Sequence, residues 1–230
     1  MEDILSRVTS VVESEMDSIC ARLKATHVDI IHGTAAFEDP HHVAVTSAAT
    51  AAGEAERIRG ENFLIACGTK PAHSPIVPCD GIKVLDADHI LSETLPKVPR
   101  ELIVVGAGVV GIEYASMINV LPGTSVTVID ARPEILTFAD REVVSSLQHE
   151  MSIRGARFLF DEQVKSTTVS DKHVTVELAS GKRVRGDALL YTIGRQANTA
   201  QLNLQALGIE HNERGLLTVN REYQTNIPHM

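Results

Sequence analysis

The 230-residue sequence predicts an α/β fold, a parallel sheet with helices and an antiparallel meander, flanked on both sides by pieces of a different unit. Three observations predict it. Residues 101 to 194 run strand, helix, strand, helix, strand, and end on a further buried strand. Three short extended runs interrupt that order before the last strand. The segments on either side do not complete a strand-helix-strand unit of their own. With 43% apolar residues the chain has ample material for a core.

From residue 1 to about 26, Ile4, Leu5, Val8, Val11, Val12, Met16, Ile19, Cys20 and Leu23 recur at threes and fours, one face of a helix that needs a partner surface. "VDIIHGTAAF" and "HHVAVTSA", joined by Glu38-Asp39-Pro40, read as a hairpin. "AAGEAERIRGENFLIACGT" reads as a loop returning into a strand that ends near Ala66. "KPAHSPIVPCDG", with three prolines, is a connector, and Pro96 and Pro99 of "ETLPKVPR" mark the start of a domain.

Beyond them come strand 101–105, a helix from about Val109 to Asn119, strand "SVTVID" and the turn "ARPEI". A second helix opens on Asp140 as its cap, runs through "REVVSSLQHEMSIRG" and stops at Gly155. Strand "ARFLF" follows. "EQVKSTTVS", "HVTVEL" and "KRVRGD", separated by Ser170-Asp171 and Ser180-Gly181, form the meander, and "ALLYTIG" closes the unit. Residues 86–199 thus form one domain, with 1–85 and 200–230 as flanking segments, the latter carrying an orphan C-terminal strand.

"GAGVVG" fits G-x-G-x-x-G at Gly106, Gly108 and Gly111, directly after an apolar strand and at the opening of a helix. Asp130 ends the next strand at about the spacing of a ribose-binding acid. In that context Gly106 permits a tight turn, Gly108 lets a diphosphate approach the backbone, and Gly111 lets the helix pack closely on the strand. Ala107, Val109 and Val110 complete the turn, whose N–H groups and helix dipole favour an anion. The sequence therefore predicts a Rossmann-like three-layer domain binding a dinucleotide. Asp130 can accept from ribose hydroxyls, and Arg132 is either a 2′-phosphate partner or an exposed turn arginine, so NAD and NADP both remain open. Glu113, placed on the first helical turn, is either a functional group or an acid favoured by the dipole.

A net charge of −9 and a pI near 5.5 argue against a nucleic-acid binder. The acidic start and the shortness of the longest apolar run predict no signal peptide and no membrane span, hence a cytoplasmic protein. Cys20, Cys67 and Cys79, an odd number without C-x-x-C spacing, predict neither a disulfide framework nor a zinc site; each reads as a small buried hydrophobe. His41 and His42 read as loop residues rather than metal ligands.

"VVGAGVVGIEYASMI", "VTVIDARPEILTFADREV", "GDALLYTIGRQANT" and "LNLQALGIEHNERGLLTVNREYQTNIPH", in this order, resemble the central part of the FAD-dependent pyridine nucleotide disulfide reductase family. The resemblance covers nearly the whole chain. It implies that Glu113 lies near the nicotinamide carboxamide, Val164 on the adenine side, Gly194 near the nicotinamide end, and Ala66 to Thr69 beside the flavin as scaffold. "LLYTIGRQANT" and "YQTNIPH" suit a member that moves hydride from NADPH to NAD through FAD better than a dihydrolipoamide dehydrogenase. The alternatives are such a dehydrogenase-type disulfide reductase and a non-catalytic nucleotide-binding protein.

The family carries a separate G-x-G-x-x-G for FAD, which this chain lacks, and a redox cysteine pair would fall upstream of Met1. The resemblance therefore implies a fragment: it binds NAD(P) as substrate, holds no flavin and is inactive by itself, whereas the parent enzyme holds FAD and is a homodimer.

Overall fold

The computed structural model describes residues 2–47, 55–90 and 97–230. The side chains of Ile4 and Leu5, residue 48, the loop start at 51–54 and Pro96 lie outside what is described. The chain divides into two compact units, one made of Met1–Val11 with Pro71–Gly194, the other of Val12–Lys70 with Arg195–Met230.

In order, the elements are α1 (Glu2–Ala25), β1 (Thr34–Asp39), β2 (His42–Thr46), β3 (Glu56–Arg59), β4 (Thr69–Pro71), β5 (Val84–Leu85) and β6 (Glu101–Val105). Then follow α2 (Val109–Asn119), β7 (Ser125–Ile129), α3 (Arg141–Ile153), β8 (Arg157–Leu159) and β9 (Val164–Val169). β10 (Val174–Leu178), β11 (Arg183–Gly186), β12 (Ala188–Tyr191), β13 (Arg195–Ala197) and a 3₁₀ turn, Leu204–Leu207, complete the chain.

The first unit is the three-layer α/β domain. Its middle layer is a parallel sheet in the order β5-β12-β6-β7-β8. Successive side chains of β6 point to opposite faces. Leu102 and Val104 join Val126, Val128, Leu190 and the helix residues Ile112, Ala115, Val144 and Met151 in one core cluster. Ile103 and Val105 join Ile129, Leu189 and the meander residues Val174, Val176, Leu178 and Val184 in another. Helices thus cover one face and the meander β11-β10-β9 the other, which is why the central strands are largely apolar.

Asp140 caps α3 as expected: its Oδ1 accepts from the N–H groups of Glu142 and Val143 at 2.9 and 3.4 Å. After the helix, Gly155 turns the chain at φ +95°.

The second unit is held by Phe37, Leu204, Ile209 and Met230, with Phe63, Ile65 and Leu217 packed around them. The Phe37 and Phe63 rings meet edge to face at 5.1 Å. β1, β2 and β3 form an antiparallel sheet.

Here the structure corrects several sequence expectations. The hairpin strand begins at Thr34, not Val28, because residues 28–33 are exposed and enter no ladder. "FLIA" is not a strand. Phe63 and Ile65 pack against the core while Leu64 is 91% exposed, and the Phe63 N–H donates to the His229 carbonyl at 2.9 Å, but the segment enters no ladder. The third strand is instead the polar Glu56–Arg59, read from sequence as loop, which pairs with β2 from Val43↔Ile58 to Val45↔Glu56. The orphan C-terminal strand expected within 200–230 does not form; a single bridge joins His211 to Leu217 there.

Nor are the cysteines buried hydrophobes: Cys20 is exposed, and Cys67 and Cys79 are half-buried. His41 lies in the turn and His42 opens β2, its Nδ1 2.9 Å from an Asp39 oxygen. Along α1, Val11, Val12, Met16 and Ile19 of the apolar stripe are exposed.

Leu190 lies fully buried in the middle layer. Leu190→Ala should cost about 2–5 kcal/mol in urea unfolding, and Asp140→Ala about 1 kcal/mol through loss of the cap. Val143→Ala, on the exposed face of α3, should stay within about 0.5 kcal/mol of the parent.

Candidate functional site

The glycine turn joins β6 to α2, and its three glycines do different work. Gly106 sits at φ +112°, where an L side chain is strained, and a Cβ there would come 2.7 Å from the Thr192 carbonyl oxygen. At Gly111 a Cβ would come 1.9 Å from the Gly106 carbonyl oxygen and 2.6 Å from Thr192 Oγ1. Both are demanded by the protein's own packing.

Gly108 differs. Its φ of −80° and ψ of −171° suit any residue, and the nearest atom to a Cβ would be Arg132 Nη2 at 3.9 Å, an ordinary contact. Nothing among the described residues requires glycine there. The space over Gly108 is open.

Gly108 is also the cap of α2 and brings no side-chain acceptor to the first turn. In the same unit α3 has Asp140 for that purpose, so the start of α2 keeps N–H groups and a positive dipole end for an outside anion. Val109 is exposed and Val110 half-buried on that turn. Ala107 is buried, its carbonyl accepting from the Leu136 N–H at 3.0 Å.

Asp130, nearly buried, follows β7 at the same carboxyl edge of the sheet. Its Oδ2 accepts from the Ala107 N–H at 2.5 Å and from Arg132 Nη2 at 2.7 Å. Oδ1 accepts from Arg132 Nε at 2.9 Å and from the Arg132 backbone at 2.8 Å. The arginine fork therefore covers both carboxylate oxygens. Burial by itself would raise this carboxyl; the Arg132 hydrogen bonds, the Ala107 N–H and the arginine charge outweigh it and hold it below the usual carboxylate range. Arg132 is held protonated by the same contact.

The remaining expected site residues are more dispersed. Glu113 is exposed on α2, but as its fifth residue it lies beyond the first turn, which contains no acid, so dipole preference does not account for it. Val164 opens β9 and packs against the meander-side core. Two residues earlier the Glu162 N–H donates to the Asp130 carbonyl at 3.1 Å, so this strand starts beside Asp130. Gly194 has φ +154° and open space around a would-be Cβ, and its carbonyl accepts from the Ala72 N–H at 3.0 Å.

Sequence reasoning missed Thr192. Its hydroxyl lies 3.0 Å from the Val105 carbonyl and 3.1 Å from that of Gly106, backing the turn. Its position just beyond "ALLY" was the available signal, since β12 lies beside β6.

Layer order and glycine turn define the class: an α/β protein with a Rossmann-like domain. The chain belongs to the pyridine nucleotide-disulphide oxidoreductase family, whose profile matches residues 2–230. It is 38% identical over 228 residues to a soluble pyridine nucleotide transhydrogenase of Mycobacterium bovis, covering 99% of this chain and 48% of that protein. It is 35% identical to a protein of the same description from Klebsiella pneumoniae, again over 99% and 48%.

Among solved structures, the HOCl-induced flavoprotein disulfide reductase RclA from Escherichia coli superposes with a TM-score of 0.85 at 26% identity, over 98% of this chain and 50% of that one. LpdA from Mycobacterium tuberculosis gives 0.86 at 29%, over 96% and 48%. The chain spans about half the length of the curated relatives it matches.

Gly111→Ala should destabilise the domain by several kcal/mol or prevent its folding, whereas Gly108→Ala should melt at or slightly above the parent temperature. Calorimetric melting distinguishes them. Because the folded Asp130 carboxyl titrates below an ordinary one, near pH 4, its stabilisation is full above that value and is lost as pH falls through the lower folded value. Asp130→Asn should flatten that acid limb of the stability profile.

Proposed function

We propose that the chain is the nicotinamide-nucleotide-binding portion of a soluble pyridine nucleotide transhydrogenase, which passes hydride from NADPH to NAD by way of enzyme-bound FAD. The open face of Gly108, beside a helix start that no side chain caps, carries this reading. Gly106, Ala107, Gly108, Val109, Val110 and Gly111 form the diphosphate cradle. Glu113 and Gly194 face the nicotinamide end, and Val164 the adenine side.

Asp130 and Arg132 serve the adenine ribose in turn. NAD draws the carboxylate to its ribose hydroxyls, and NADP draws the guanidinium to its 2′-phosphate. One site can then serve both substrates, because the pair that satisfies itself in the free chain offers either charge when it opens.

In the whole enzyme FAD would supply the hydride relay between the two nucleotides. Among the described residues no second turn of this kind exists to hold a flavin diphosphate. The groove of about 410 Å³ in the second unit, where Ala66 to Thr69 run with Leu216 and Leu217, is mainly apolar. These residues fit a nicotinamide nucleotide and not the flavin diphosphate. On this reading the chain binds dinucleotide without flavin and does not turn over by itself. The whole enzyme is a cytoplasmic homodimer; no described helix is long and apolar enough to cross a membrane.

Titration calorimetry tests the assignment. Gly108→Val should abolish binding of both nucleotides with an unchanged circular dichroism spectrum. Arg132→Ala should weaken NADP about tenfold or more and spare NAD. Asp130→Ala should weaken NAD more than NADP. Unchanged NAD affinity in both Gly108→Val and Asp130→Ala would sink the site, and stoichiometric flavin absorbance in the purified chain would sink the division of labour.

A further inference from the structure

We propose that His73, Cys79 and Asp86 form a binding site for a transition-metal ion, zinc by its donor set, with His89 orienting Asp86. The site lies within the first unit and is independent of the nucleotide reading. No spacing in the sequence announces it, because its residues are spread over a proline-containing connector and the end of β5.

The three ligand atoms lie within 4.8 Å of one another. His73 Nε2 is 3.0 Å from Asp86 Oδ2, and Cys79 Sγ is 3.8 Å from the same oxygen. In a tetrahedral zinc site, metal–ligand bonds of about 2.0–2.3 Å place neighbouring ligand atoms about 3.3–3.7 Å apart. The widest pair would need to close by about 1–1.5 Å, and His73 and Asp86 to part slightly.

The Asp86 side chain is 3% exposed and its two oxygens are divided in use. Oδ1 is 2.6 Å from His89 Nδ1 and accepts from the N–H groups of Asp88 and His89 at 3.0 and 3.1 Å. Oδ2 faces His73 and Cys79. This is the arrangement of a ligating carboxylate steadied by a partner on its other oxygen.

The connector is held in place as well. Asp80 Oδ1 accepts the N–H groups of Ile82, Lys83 and Val84 at 2.8 Å each, and Val77 is buried. His73, at 61% exposure, leaves a side open for water as fourth ligand.

Thiolate, imidazole and carboxylate together suit zinc better than magnesium or calcium, which prefer oxygen throughout. Before an ion binds, the Cys79 thiol donates to the Val84 carbonyl at 3.0 Å. On binding, Cys79 loses its proton to solvent and ligates as the thiolate, beside the His73 imidazole and the Asp86 carboxylate. The two negative ligands balance the ion's two positive charges.

The ion would staple the connector to the carboxyl edge of the sheet. Two strand spacings, about 10 Å, separate that position from the glycine turn, since β5 is followed across the sheet by β12 and then β6.

Chelator-treated chain titrated with Co²⁺ should bind one equivalent, show thiolate-to-cobalt charge-transfer absorption, and lose it when Zn²⁺ is added. Cys79→Ser, isosteric, should abolish that absorption, and His73→Ala, truncating an exposed side chain, should weaken binding at least as strongly. His89→Ala should weaken it about 10–100-fold while keeping the charge-transfer band, and Cys67→Ser should change nothing. A band that survives Cys79→Ser, His73→Ala binding as tightly as the parent, or no saturable Co²⁺ binding would overturn the proposal.

Discussion

The domain depends on one close approach. Where β6 ends and α2 begins, the helix backbone at Gly111 lies against the Gly106 carbonyl, with Thr192 of the neighbouring strand behind both. A single methyl group at residue 111 would fall 1.9 Å from an oxygen. That contact sets the angle at which α2 leaves the sheet, hence how Ile112 and Ala115 reach the core and where the open cradle over Gly108 faces.

A second constraint acts from β7. Asp130 reaches across to the Ala107 N–H and holds Arg132 with what remains of its carboxylate. The acid is thus part of the turn's scaffold before it is a ligand group, and nucleotide must compete with an internal ion pair to use it. The arginine side chain is about half exposed, so that pair can open without disturbing the core. A buried acid with an exposed cation beside it can yield either charge to a ligand, which a fully buried pair could not do cheaply.

The same edge of the sheet carries Asp86, in a cluster with two imidazoles and a thiol. Parallel strands all end at this edge, so the residues just after β5, β6 and β7 are brought near one another although they lie far apart in sequence. Chemistry collects there for a topological reason. In the second unit, short antiparallel strands and the Phe37–Phe63 contact organise an apolar core.

By itself the sequence determined what depends on neighbours along the chain: the limits of α2, the Asp140 cap and Gly155 stop of α3, the meander turns and the role of Gly106. Each rests on backbone conformation or a hydrogen bond spanning a few residues. Tertiary structure decided what depends on a partner across space. "FLIA" has a strand's alternation but no ladder, while the polar Glu56–Arg59 has a ladder because β2 lies beside it. The glycine motif already assigned Gly111 to close packing and Gly108 to an open approach, but it could not name what excludes a side chain at Gly111, the Gly106 carbonyl and Thr192. Nor could it reveal that Asp130 is already occupied by Arg132, or that His73, Cys79, Asp86 and His89 converge. Steric exclusion and charge pairing act between atoms that only the folded chain brings together.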